Sequence, residues 1–161
     1  MSIESVVNQS LDLIGYKRHI GSVWDGTPAA RVALNAFAEV RDEVLAVRPW
    51  LFARSFHTLV ATGQLAFGMT AYTRPPNAIV VLDVYPIGFD PLDPEPARWL
   101  ETYIDGERLI VSPFTDAGAA STDRVLDTAD WPPDYTEAVI RTLAHRFQRL
   151  LPAVAAKEEK Q

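Results

Sequence analysis

Between Thr27 and Ala53 the chain reads TPAARVALNAFAEVRDEVLAVRPWLFA, and no other stretch restricts the fold as much. Thr27 is a hydroxyl cap for the free amides of a helix start, and Pro28 suits the first helical position. Ala30, Ala33, Leu34, Phe37, Val40 and Val44 recur at helical spacing and form one apolar stripe, with Glu39, Asp42 and Glu43 on the opposite side. Pro49 disfavours helical geometry in Arg48 and ends the helix there. The predicted helix is about 30 Å long at the ordinary helical rise. Trp50 and Phe52 follow at once as large apolar anchors. Arg41 falls toward the edge of the stripe. Either its stem covers the core while its head stays in water, or its guanidinium pairs across a subunit or domain contact.

The rest of the chain supplies partners for this stripe. Ser2 caps a first helix whose apolar face is Ile3, Val7, Leu11 and Ile14, and Gly15 ends it by taking the left-handed conformation cheaply. The connector Tyr16–Gly26 carries a turn signal at Asp25-Gly26, with Ile20, Val23 and Trp24 expected to pin it onto the helices. Residues 56–60 suit a helix or a strand equally. Ala78–Tyr85, rich in β-branched residues, reads as a strand. Pro86–Pro96 is loop. Trp99–Ile104 and Arg108–Val111 form a hairpin around Asp105-Gly106, a favoured tight-turn pair. Thr115–Ser121, small and polar, reads as loop, with a short edge strand over Arg124–Asp127. A last helix starts after Trp131-Pro132-Pro133, buries Ile140, Leu143, Ala144, Phe147, Leu150 and Leu151, and is kinked or ended by Pro152. The predicted fold is α+β: a bundle of three to four helices with a small inserted antiparallel β-sheet. It is one domain over 1–161, its helical core about 2–60 plus 132–156 and its β insertion about 63–128.

Composition narrows the function classes. Hydrophobic residues make up 48%, which excludes global disorder. No apolar run approaches the ~20 residues of a membrane span. The opening MSIESVVNQS has neither a basic start nor a continuous apolar segment, so it does not read as a signal peptide. The absence of cysteine removes disulfides, thiolate metal sites and cysteine nucleophiles, and points to synthesis in the cytoplasm. A net charge of −6 argues against broad nucleic-acid binding.

Motifs for chemistry are scarce. His19, His57 and His145 each stand alone, with no zinc-protease helix, nucleophile elbow or phosphate loop around them. A catalytic triad assembled from distant residues has no positive support. Asp90, Asp93 and Glu95 are oxygen donors, but they lack the glycine turn and spacing of a calcium loop. No catalytic residue, metal or cofactor is assigned. Arg141, His145 and Arg149, four apart on the last helix, form a basic stripe that suits either phosphates or acidic partners.

Three segments carry a resemblance. They are Ser10-Leu11-Asp12-Leu13-Ile14-Gly15, then Ala30–Leu45 ending in Val40-Arg41-Asp42-Glu43-Val44-Leu45, then Pro49-Trp50-Leu51-Phe52-Ala53. In this order they resemble the tail tubular protein A, or head-to-tail adaptor, family of tailed bacteriophages. Ala71-Tyr72-Thr73-Arg74-Pro75-Pro76 is similar to that family's entry to its sheet, and Trp131–Leu151 to its closing helix. The match is specific over the first 53 residues and loose after about residue 86. The resemblance implies a structural protein of the virion, made in the host cytoplasm and placed at the head-tail interface. It implies a homo-oligomeric ring, usually twelve-fold, between the portal protein and a downstream tail or nozzle protein. DNA would pass through the ring without specific binding, and no membrane is involved. Trp50, Phe52, Trp99 and Trp131 are then candidate anchors for neighbouring subunits, each also readable as a core residue. Glu39, Asp42 and Glu43 are candidate partners for Arg141, His145 and Arg149, within a subunit or across a contact. Two other classes remain: a small α+β module binding a ligand or peptide at an exposed hairpin edge, and a hydrolase with a non-local site.

Overall fold

Ser2 accepts the Ser5 amide and starts α1 (Ile3–Leu13), whose end is turned by Gly15 at φ 72°. Thr27 accepts the Ala30 amide and starts α2 (Pro28–Val47), which stops at Arg48 in extended geometry. Both helices thus begin and end where their capping residues stand. The computed structural model describes residues 1–17, 19–22, 24, 26–88 and 98–158, with the side chains of 28, 29 and 151–158 left out. Two compact units emerge, one from residues 1–48 and 125–161, the other from 49–124.

In the first unit, α3 (Pro133–Glu158) packs against both α1 and α2. Its buried face is Tyr135, Val139, Ile140, Leu143, Ala144 and Phe147; Val6, Val7 and Leu11 come from α1, and Ala33, Phe37 and Val40 from α2. Trp131, just before α3, stacks on Phe37 at 5.7 Å and meets the Tyr135 ring edge-on at 4.9 Å. Two ion pairs fix α2 and α3 antiparallel: Arg48 with Asp134 at 2.8 Å, and Arg146 with Glu43 at 2.6 Å. Asn8 clamps the connector by donating to the Ile20 carbonyl and accepting its amide. Trp24, expected to pin that connector, is instead 73% exposed. Val23 and Asp25 lie outside the described residues. Pro152 does not end α3.

Tyr135 is fully buried, and its hydroxyl donates to the Arg41 carbonyl at 2.9 Å. Burial raises its pKa well above the ordinary tyrosine value; burial raises Tyr72 and Tyr85 in the same direction. A raised folded-state pKa means the folded protein keeps a proton that the unfolded chain releases above pH ~10. Stability is therefore expected to be level below that pH and to fall as pH rises beyond it, as urea midpoints would show. Tyr135→Phe should lose about 1 kcal/mol at neutral pH with the hydrogen bond and flatten the alkaline decline.

Among its described residues the second unit has one short 3-10 turn, Leu51–Ala53, and otherwise strands. It holds β1 (Arg54–Thr58), β2 (Val60–Ala66), β3 (Met69–Thr73), β4 (Ala78–Pro86), β5 (Leu100–Ile104), β6 (Glu107–Ser112) and β7 (Ala117–Asp123). One sheet has the order β1-β7-β4 and the other β2-β3-β6-β5, every pairing antiparallel. Val81, Val84, Ala117 and Ala119 of the first sheet share a core with Tyr72 and Ile110 of the second, and Trp99 and Phe114 lean on it. The reverse face of the second sheet buries Ala71, Leu109 and Val111.

The expected helical bundle with a small inserted sheet is thereby corrected. Among the described residues, three α-helices accompany seven strands in two sheets. The largest discrepancy is β7, read from sequence as loop and found as the middle strand of its sheet. Its one glycine has a steric reason. Gly118 sits opposite Tyr85, and a Cβ there would lie 2.5 Å from the tyrosine ring. Phe56–Thr58 belongs to β1 and Val60 opens β2, with Leu59 between them outside either strand, and Arg124–Asp127 carries no strand.

Candidate interaction surfaces

The sequence-derived interface residues are spread over both units. Trp131 belongs to the first unit's core at 7% exposure. Trp50, equally buried, meets Phe52 edge-on at 6.1 Å, and Trp99 is partly buried against the core between the sheets. The Arg41 side chain is largely buried, with its Nε 2.8 Å from Asp42. Glu39 and Glu43 both reach Arg146, which the sequence reading had not singled out. Arg141 pairs with Glu137 on its own helix at 2.6 Å, and His145 and Arg149 are exposed.

His57 Nε2 lies 2.9 Å from one oxygen of Asp123, and the buried Ser121 hydroxyl donates to the other. The carboxylate thus stands between serine and histidine, whereas a nucleophilic serine needs the histidine in the middle. His19 pairs with Asp12 at 2.6 Å on the surface. Among the described residues no three His, Asp or Glu side chains converge as metal donors. Asp90, Asp93 and Glu95 lie outside the described residues.

The surface that departs from ordinary protein chemistry is the hairpin of β2 and β3. Six of the seven residues of β2 are exposed, although it edges its sheet. Val60 is 68% exposed, Leu65 75% and Phe67, at the turn, 77%. Phe56 on β1 is 66% exposed under the Arg54 guanidinium, which lies 5.4 Å from its ring centre. From Thr58 to Thr73 the chain has no Asp, Glu, Lys or Arg. Exposed edge strands are normally defended by charge, proline or a cover, because their free amides and carbonyls recruit other strands. Phe67 adds a backbone cost. It holds φ 55°, a left-handed conformation that costs an L-residue with a Cβ about 1–2 kcal/mol. The sequence carried two signals of this surface: the uncharged run and a Phe-Gly pair at a hairpin turn.

No protein-family model matches the chain, and no curated protein sequence matches it. No helix among the described residues is long and apolar enough to cross a membrane.

Proposed function

We propose that the chain is a structural subunit of a phage head-tail connector, not an enzyme, and that it assembles into a ring between portal and tail. The observation that carries the reading is the uncharged, exposed β2–β3 arm. A lone monomer gains nothing from such an edge, whereas a subunit with neighbours on both sides gains a contact surface. The ordered sequence segments ending at Leu11–Gly15, Arg41–Leu45 and Pro49–Ala53 support the same reading. The net charge of −6 fits a channel through which DNA slides without being held. The same edge also favours a second reading, a module that adds an extended peptide as an extra strand.

Light scattering separates these readings. Purified protein is expected to run as a folded monomer or weak oligomer and to form a ring when portal is added. Filter retention of DNA should stay negligible before and after. A permanent dimer indifferent to portal would overturn the connector reading.

A further inference from the structure

Among the described residues the sheet β2-β3-β6-β5 ends in two free edges, β2 and β5. Each strand runs antiparallel to its neighbour. With four strands, the two edges therefore run in opposite directions. A second copy moved sideways along the sheet, without being turned over, brings its β2 antiparallel to the first copy's β5. It also keeps each sheet face on the same side. An odd number of strands would leave such a copy only a parallel joint, which is slightly less stable per residue.

The side chains at the two edges suit this joint. Leu65 of β2 lies opposite Thr70, Thr70 opposite Ser112 of β6, and Tyr103 of β5 opposite Arg108 of β6. Paired residues share a face, and every second residue along a strand returns to it. Leu65 and Tyr103 thus stand on one face at opposite edges, 75% and 71% exposed. By the same pairing the exposed Val60 shares the other face with Leu100 and Ile104. Neither edge brings a free charge. β2 has no ionisable residue, and the one carboxylate of β5, Glu101, is held by Arg74 and Arg108 of its own chain. No lysine or proline guards either strand. An extended peptide needs only one free edge. Two edges that match in direction, face and apolar character fit a second copy of the chain.

We infer that β2 of one copy pairs with β5 of the next, joining their four-stranded sheets into one, with Leu65 and Tyr103 on the same face of the joint. A contact between different edges of identical chains repeats around a ring or along a filament. The inference rests on the connector reading for closure into a ring, and it names the contact that closes it.

Leu65→Lys and Tyr103→Glu each charge one edge and leave the other intact. Sedimentation velocity on concentrated protein without portal reads the outcome. Each variant alone is expected to self-associate at least about ten-fold more weakly than the wild type, as for an interface anchor. Each should melt at the wild-type temperature, because both side chains are exposed. Mixed, they should form a dimer that grows no further, since the intact β2 of one meets the intact β5 of the other. A mixture as monomeric as its parts overturns the inference, and so does a loss confined to Leu65→Lys, which would mean that β2 pairs with something other than β5. The absence of cysteine allows a second measurement that captures weak association. Gln64→Cys and Thr102→Cys, mixed and treated with a short bis-maleimide, are expected to give a covalent dimer that neither gives alone. No dimer, or an equal yield from Gln64→Cys alone, overturns the inference. A cross-link in a protein that ignores portal would retain this contact and remove the connector reading. A portal-triggered ring whose copies do not cross-link would do the reverse.

Discussion

Replacing Trp131 with alanine is expected to destabilise the helical unit by about 3–5 kcal/mol, the range for removing a large aromatic side chain from a core. The indole stacks on Phe37 at an interplanar angle of 10°, meets Tyr135 edge-on, and donates its Nε1 hydrogen to the Val125 carbonyl at 3.2 Å. Phe37 and Tyr135 are themselves nearly inaccessible, so alanine leaves them facing a void that they can fill only by abandoning their own contacts. Trp131→Phe keeps an aromatic face and loses chiefly the hydrogen bond, at about 1–2 kcal/mol. Urea midpoints followed by far-ultraviolet circular dichroism should rank the wild type first, phenylalanine second and alanine well below. An alanine variant within about 1 kcal/mol of the wild type would show that the core role is wrong, since surface substitutions seldom exceed that size.

The second large effect is expected at Arg74, inside the Ala71–Pro76 segment that carried part of the resemblance. Its guanidinium donates through Nε to Glu101 at 2.8 Å, through Nη2 to the Ile79 carbonyl at 2.9 Å, and through Nη1 to the Ala78 carbonyl. Arg108 holds the other oxygen of Glu101. Side-chain exposures of 15% for Arg74 and 18% for Glu101 put the pair mostly out of water. One planar head thus ties the crossover between the two sheets to edge strand β5. Arg74→Ala leaves two carbonyls without their donor and a largely buried carboxylate with one cation. The expected loss is about 3 kcal/mol, the lower end for breaking a buried pair because solvent retains some access. Lysine should recover less than half, since a point charge cannot fork to all three acceptors. A double-mutant cycle with Glu101→Gln should give a coupling above about 0.5 kcal/mol. Strict additivity would mean that Arg74 and Glu101 do not act together.

The candidate surface was only half legible from sequence. Phe67-Gly68 and the uncharged run from Thr58 to Thr73 are visible in the bare chain. Their meaning depended on exposure, which follows from β2 lying at a sheet edge and not within the sheet. The tryptophans were open in the sequence between anchor and core residue. An exposed anchor and a buried core residue carry the same letter, and neighbours distant in sequence, Phe37 for Trp131, decide between them.

What the sequence alone determined were features settled within a few residues. The caps at Ser2 and Thr27, the stop before Pro49, the strand read over Ala78–Tyr85 and found over Ala78–Pro86, and the Asp105-Gly106 turn all appear where their local chemistry places them. These features depend on backbone torsions and on hydrogen bonds that span a turn or less. Tertiary structure decided the rest. Ala117–Asp123 has no strand signal of its own and becomes a strand because β1 and β4 supply its hydrogen-bond partners from both sides. Position 118 is glycine because the Tyr85 ring occupies the space beside it. Arg146, not Arg141, takes Glu39 and Glu43, because the register of α3 against α2 selects one of several similar cations. Strand pairing and helix register join residues tens of positions apart, and a local pattern of apolar and polar letters carries no record of which distant partner will be adjacent.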